Sequence, residues 1–148
     1  MQKVLIASDH AGYDVKERIK KELGSQFEFV DLGTNSTDSV DYPDFAEKLA
    51  QQVAVSSDVK GVLVCGSGVG ISIAANKVDG ARCVLAYSVD AAKGSREHNN
   101  ANIVAVPGRL NPMDDQVKVV KAFLETDFST EERHARRVKK MMDIEKHN

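Results

Sequence analysis

The chain has 148 residues, 42% of them hydrophobic and 28% charged, with a formal net charge of −2. That amounts to a single domain over residues 1–148 with enough apolar material for a real core, and a charge too near balance to indicate nucleic acid or an anionic membrane as partner. No apolar run approaches the roughly 20 residues of a membrane span, the first residues lack a signal-peptide pattern, and two cysteines without CxxC spacing suit a reducing, cytoplasmic setting.

Val4-Leu5-Ile6-Ala7 is a continuous apolar run, the mark of a strand buried on both faces. It ends in Ser8-Asp9-His10, and Tyr13 to Leu23 then places Val15, Ile19 and Leu23 on one helical face. Phe27 to Val30 is strand-like and leads into a polar loop from Gly33 to Tyr42. Pro43 suits the first turn of a helix that points Phe45, Leu49 and Val53 inward. Val62 to Val64 is the third strand; it runs through Cys65 into Gly66-Ser67-Gly68-Val69-Gly70 and a helix-compatible stretch from Ile71 to Asn76. Cys83 to Ala86 and Ile103 to Val106 are two further strands, with a polar helical stretch containing Arg96 to Asn99 between them. A helix from about Pro112 to Leu124 carries Val117, Val120 and Leu124 on one face. The charged segment from Thr130 to His147 closes the chain as a helix with a narrow stripe of Val138, Met141 and Met142. Five strands alternating with helices predict an α/β fold with a five-stranded parallel sheet covered on both faces and a C-terminal helix.

Ligands of such sheets bind beyond the carboxyl ends of the strands, where the strand order reverses. Asp9 and His10 after the first strand are therefore expected to face the glycine loop after the third. Glycine leaves the amides of that loop open to an anion, and the helix start behind them favours negative charge, including a thiolate on Cys65. Cys83 lacks such surroundings and reads as core filling. The loop does not have the G-x-G-x-x-G spacing of a dinucleotide site, so no nicotinamide or flavin cofactor is expected. Asp9 also suits a plain helix cap. His98 offers an imidazole that suits an acid or base, or merely a solvated helix end. Arg133 and Arg137 are four apart, on one helical face that suits a phosphate dianion or a solvated basic surface, and Arg109 after the last strand is a third such cation. The four histidines are scattered without metal-ligand spacing, so a metal-free reaction is expected.

SDHAGY at 8–13, SVDYPDFA at 39–46, VCGSGVGISIAANK at 64–77, SREHNNANIV at 95–104 and EERHARRV at 131–138, in this order, resemble the type B ribose-5-phosphate isomerases and the related allose- and galactose-phosphate isomerases. The resemblance implies a Rossmann-like three-layer sandwich and a cytoplasmic homodimer or dimer of dimers whose sites lie between chains. It also implies a cofactor-free, metal-free aldose–ketose isomerisation of D-ribose 5-phosphate and D-ribulose 5-phosphate through an enediolate, in the non-oxidative pentose phosphate pathway. By matching position, Cys65 resembles the base that moves the proton between carbon-1 and carbon-2. Relatives with a glutamate base carry it just beyond the loop, where this chain has Ile71-Ser72 and no acid. Ser67 matches the residue that helps shift the proton between the substrate oxygens, and the amides of Gly66, Ser67, Gly68, Val69 and Gly70 the enediolate site. His98, with Asp9, is similar to the ring-opening acid and its partner, and Asn99 to the residue on the enediolate oxygens. His10, Arg109, Arg133 and Arg137 match phosphate-binding positions, and Tyr42 lies in the substrate-side loop. Asn100 departs from a common aspartate and is expected to affect only the turn. A six-carbon phosphate such as allose 6-phosphate or galactose 6-phosphate is the nearest alternative substrate. A non-catalytic sugar-phosphate sensor is the alternative of a different class.

Overall fold

The computed structural model describes residues 1–109 and 112–148. Its elements follow the expected alternation: β1 (Gln2–Ser8), α1 (Tyr13–Leu23), β2 (Phe27–Asp31), α2 (Tyr42–Ala54), β3 (Lys60–Cys65), α3 (Val69–Asn76), β4 (Cys83–Leu85), α4 (Val89–Asn99), β5 (Ile103–Pro107), α5 (Met113–Glu125) and α6 (Glu132–Asp143). The strands form one sheet in the order β2-β1-β3-β5-β4, every pairing parallel. Helices cover both faces because successive strand residues alternate sides. Val4, Ile6, Val62, Val64, Val104 and Val106 pack under α1, α4 and α5, with Phe123 and Ile19 at the centre. Leu5, Leu63, Ile103 and Ala105 pack under α2 and α3 against Leu49, Val53 and Ile71. This is the α/β sandwich expected from the strand pattern.

The strand order reverses between β1 and β3, whose register pairs Ser8 with Val64. A short 3-10 turn at His10–Gly12 then lets the chain lie flat on the end of β3. Gly12 is required there, since a Cβ would sit on the Val64 carbonyl. The last helix behaves differently from the other five. In α6 the only buried residue is His134, and the helix packs on α4 rather than over a sheet face. Its end reaches the start of β4: Met142 Sδ accepts from Arg82 and Glu145 Oε1 from the Gly80 amide. The helix therefore lies across the amino edge of the sheet.

Candidate active site

Three strand ends converge at the switch point. Asp9 donates its amide to the Val64 carbonyl, and its carboxylate Oδ1 accepts from the Gly12 amide at 3.0 Å. The capping role foreseen for Asp9 is thus present, and its second oxygen makes no hydrogen bond among the described residues. His10 Nδ1 accepts from the Val40 amide at 3.2 Å. That bond leaves the ring proton on Nε2, a donor for an anion. Cys65 ends β3, 4% exposed, with its carbonyl taken by the Gly108 amide at 2.8 Å.

The chain then turns through Gly68, at φ +80°, into α3. A side chain there would be strained, and its Cβ would meet Leu85 at 2.8 Å. Ser67 Oγ accepts from the Val69 amide at 3.2 Å, so that amide of the expected anion set is already committed. The amides of Gly66, Gly68 and Gly70 make no hydrogen bond among the described residues. Beside them lies Arg109, whose Cδ and Nη1 would stand 3.7 and 3.8 Å from a Cβ on Gly66. The Arg109 amide also donates to the Gly66 carbonyl at 3.0 Å. The Tyr42 ring packs directly on Gly70. Asp9, His10, Tyr42, Cys65 to Gly70 and Arg109 therefore gather at the carboxyl ends of β1, β3 and β5, as the strand-end rule predicts for all but Tyr42.

His98, Asn99, Arg133 and Arg137 are elsewhere. His98 and Asn99 end α4, which runs antiparallel to the strands and delivers them to the amino edge, just before β5. A strand of this length separates the two edges by about 17 Å. At the amino edge the His98 and His134 rings lie 4.7 Å apart between centroids. Burial, Arg133, His98 and Arg137 together push the His134 imidazole below its ordinary value, against Glu131. Arg133 forms an ion pair with Glu131. Asn99 lines a recess of about 520 Å³ with Arg82, Met141 and Met142. One copy of the chain thus holds the thiol and the anion loop, but not the imidazole and the tail arginines, in a single cleft.

Two side chains with contacts here were not among the expected site residues. Tyr87 Oη donates to the Ser67 carbonyl at 2.7 Å and clasps the glycine loop from β4. Its position at a strand end was the available signal. His134, lying between Arg133 and Arg137 in the sequence, is the other. Cys83 packs against the core under α2 and α3 as expected, and burial pushes its thiol up to about 12. Among the described residues no cluster of three or more His, Cys, Asp or Glu suits a metal ion. Tyr87→Phe removes one hydrogen bond from the loop, worth about 1 kcal/mol. The expected result is a fall of severalfold in kcat/KM with a melting temperature lowered by no more than about 4 °C, checked by steady-state kinetics beside a thermal melt.

Comparison with known proteins places the chain. The pattern of the ribose/galactose isomerase family matches residues 4–141. The ribose-5-phosphate isomerase B of Mycolicibacterium paratuberculosis is 40% identical over 146 residues, covering 97% of this chain and 92% of its own. The type B ribose 5-phosphate isomerase of Trypanosoma cruzi superposes with a TM-score of 0.93 at 44% identity, covering 99% of both chains. The ribose-5-phosphate isomerase B of Mycoplasma genitalium, solved with bound ribulose-5-phosphate, has a TM-score of 0.93 at 40% identity and covers 99% of this chain and 97% of its own. The thiol, the glycine loop and the matching fold agree, and this chain belongs to the ribose/galactose isomerase family.

Proposed function

We propose that the chain interconverts D-ribose 5-phosphate and D-ribulose 5-phosphate through a cis-enediolate. The observation that carries this is Cys65 at the strand end beside the Gly66, Gly68 and Gly70 amides, which make no hydrogen bond among the described residues, with Arg109 and His10 at the same end of the sheet. A proton next to a carbonyl is weakly acidic, so its removal needs a placed base together with stabilisation of the oxyanion that develops. Cys65 as thiolate takes the carbon-2 proton of the open aldose, and the electron pair left behind forms the carbon–carbon double bond of the enediolate. The glycine-loop amides hold the negative oxygen, Ser67 relays a proton between the two substrate oxygens, and Cys65 returns its proton to carbon-1. His10 Nε2 and Arg109 hold the phosphate, which fixes a flexible open chain for reaction. Tyr42 walls the cleft.

His98, Asn99, Arg133 and Arg137 reach this chemistry from a second copy of the chain, as a homodimer or a dimer of dimers. Two features support that. The cleft lacks the acid that opens the furanose ring and a full set of phosphate cations. Its surroundings carry exposed Tyr42, Val69, Ile73 and Tyr87, apolar groups that a partner would cover. His98 then protonates the ring oxygen with Asp9 on the sugar hydroxyl, Asn99 holds the enediolate oxygens, and the tail arginines close on the phosphate. The pentose phosphate pathway and the cytoplasm are the setting this reaction fits.

The test is proton NMR of chelator-treated protein with ribose 5-phosphate in deuterated water. Ribulose 5-phosphate should form with solvent deuterium at carbon-1, since the thiol exchanges its proton. Absence of turnover on the pentose, or a higher kcat/KM on allose 6-phosphate or galactose 6-phosphate, contradicts the five-carbon assignment. Binding without any exchange marks a sensor instead.

A further inference from the structure

A second, smaller recess of about 220 Å³ opens at the amino edge of the sheet, away from Cys65. Lys60, Arg82 and Arg96 line it together with the Ser56 to Val59 turn. Three cations on one recess call for compensating charge, because a desolvated cation is costly unless paired. Among the described residues none of the three has a carboxylate within 4.0 Å. Arg96, 6% exposed, donates only to neutral oxygens: the Thr126 carbonyl at 3.0 Å, the Ala101 carbonyl at 2.6 Å and Asn100 Oδ1 at 3.0 Å. Arg82 Nε donates to the Asn100 carbonyl at 2.8 Å. The Lys60 ammonium makes no hydrogen bond or ion pair among the described residues. Asp58 on the rim is exposed and sits 3.4 Å from Ser57 Oγ. Asp127 and Glu145 act only from longer range. Burial pushes all three cations below their ordinary values, and Arg96 adds to this on Lys60 as Arg82 does on Arg96. Bracing the left-handed turn at Asn100 (φ 48°) explains the two arginines. It does not explain Lys60, which braces nothing.

We propose that this recess binds a phosphate-type oxyanion, free or as the terminal group of a phosphate monoester, at a site separate from the Cys65 cleft. Guanidinium groups held by carbonyls keep donors free for a tetrahedral anion. Lys60 adds a point charge, and the Ser56 and Ser57 hydroxyls add polar partners.

The experiment is calorimetric titration of the intact protein with inorganic phosphate, beside Arg109→Gln and Lys60→Gln. Wild type should take two phosphates per chain, and each variant should lose a different one, with Lys60→Gln weakening its site at least tenfold. Lys60→Arg should restore it. Lys60→Gln should keep kcat/KM for the sugar phosphate within about twofold, which separates this site from the proposed catalytic one. If the chain proves not to be an isomerase, the Lys60-dependent phosphate remains. Titration with glycerol 3-phosphate distinguishes the sources: competition at the Lys60 site indicates a phosphorylated metabolite, and its absence indicates the free anion. Unchanged phosphate stoichiometry in Lys60→Gln overturns the proposal. So does a raised KM for the sugar phosphate in that variant, which would make Lys60 part of the substrate site.

Discussion

Cys65→Ala lowers kcat about 10³-fold, or about 4 kcal/mol of transition-state stabilisation, and leaves KM within a factor of a few. The thiol is assigned to proton transfer, whereas substrate affinity is assigned to His10, Arg109 and the loop amides, and none of these is touched by the substitution. The residue is 4% exposed at the end of β3 and its carbonyl bond to Gly108 belongs to the backbone. The variant should therefore fold, with a melting temperature close to that of wild type. Residual turnover would come from the loop amides alone. Steady-state kinetics on the pure variant decides this, and a kcat within tenfold of wild type would remove Cys65 from the base role.

Lys16→Met should have the largest effect on stability. The Lys16 side chain is fully buried, and its ammonium is bonded to Asp31 at 2.8 and 2.9 Å and to the Thr34 carbonyl at 2.5 Å. Asp31 also takes Lys20 at 2.7 Å and the Gly33 amide at 2.8 Å. Gly33 and Thr34 in turn pair with Ser8, immediately before Asp9. Removing Lys16 leaves Asp31 with Lys20 and the Gly33 amide but strips the buried Thr34 carbonyl of its donor, a loss of about 2–3 kcal/mol, or roughly 5–10 °C in melting temperature for a chain of this size. Because the network fastens the loop after β2 to the β1 end of the cleft, KM should rise as well. The pH dependence has a definite sign. Burial pushes the Asp31 carboxyl up, but the hydrogen bonds from Lys16, Lys20 and Gly33 outweigh it and hold the group below its ordinary 3.8. A carboxyl lowered by folding stabilises fully above its unfolded value, and that stability is lost as pH falls through the folded one. Thermal melts from pH 7 down to pH 3 should show the gap between wild type and Lys16→Met closing below about pH 4. A gap under about 2 °C at neutrality, or one that does not change with pH, would show that the network contributes little.

Much of the carboxyl-edge cleft is legible in the sequence for a physical reason. Apolar runs such as Val4 to Ala7 and Val62 to Val64 announce buried parallel strands, and the rule for open sheets sends the search to the residues that follow them. Asp9, Cys65 and Arg109 appear together on that basis alone. The helix boundaries shifted slightly, as α3 beginning at Val69 illustrates, because the left-handed Gly68 starts the helix before the apolar stretch does. Lys16 was not legible: within VKERIKKEL it looks like any solvated lysine, and only the meeting of α1 with the loop after β2 buries it. The same holds for His134, which depends on α6 lying over α4. Tyr87 reaches Ser67 only because β4 stands beside β5 in the sheet. The separation of His98, Asn99, Arg133 and Arg137 from Cys65 is a matter of helix direction, and motif order along the chain carries no such information.

A site divided between two edges of the sheet has a direct consequence for mixtures of inactive variants. Cys65→Ala and His98→Ala, each nearly inactive, are unfolded together and refolded at equal concentration. In a two-fold dimer half of the assemblies are hybrids, and each hybrid has one cleft with both residues intact, so turnover should return to about a quarter of wild type. If the mixture contains hybrids by mass and remains as inactive as its parents, the two edges do not meet in one site, and the account of a cleft completed by a second copy is wrong.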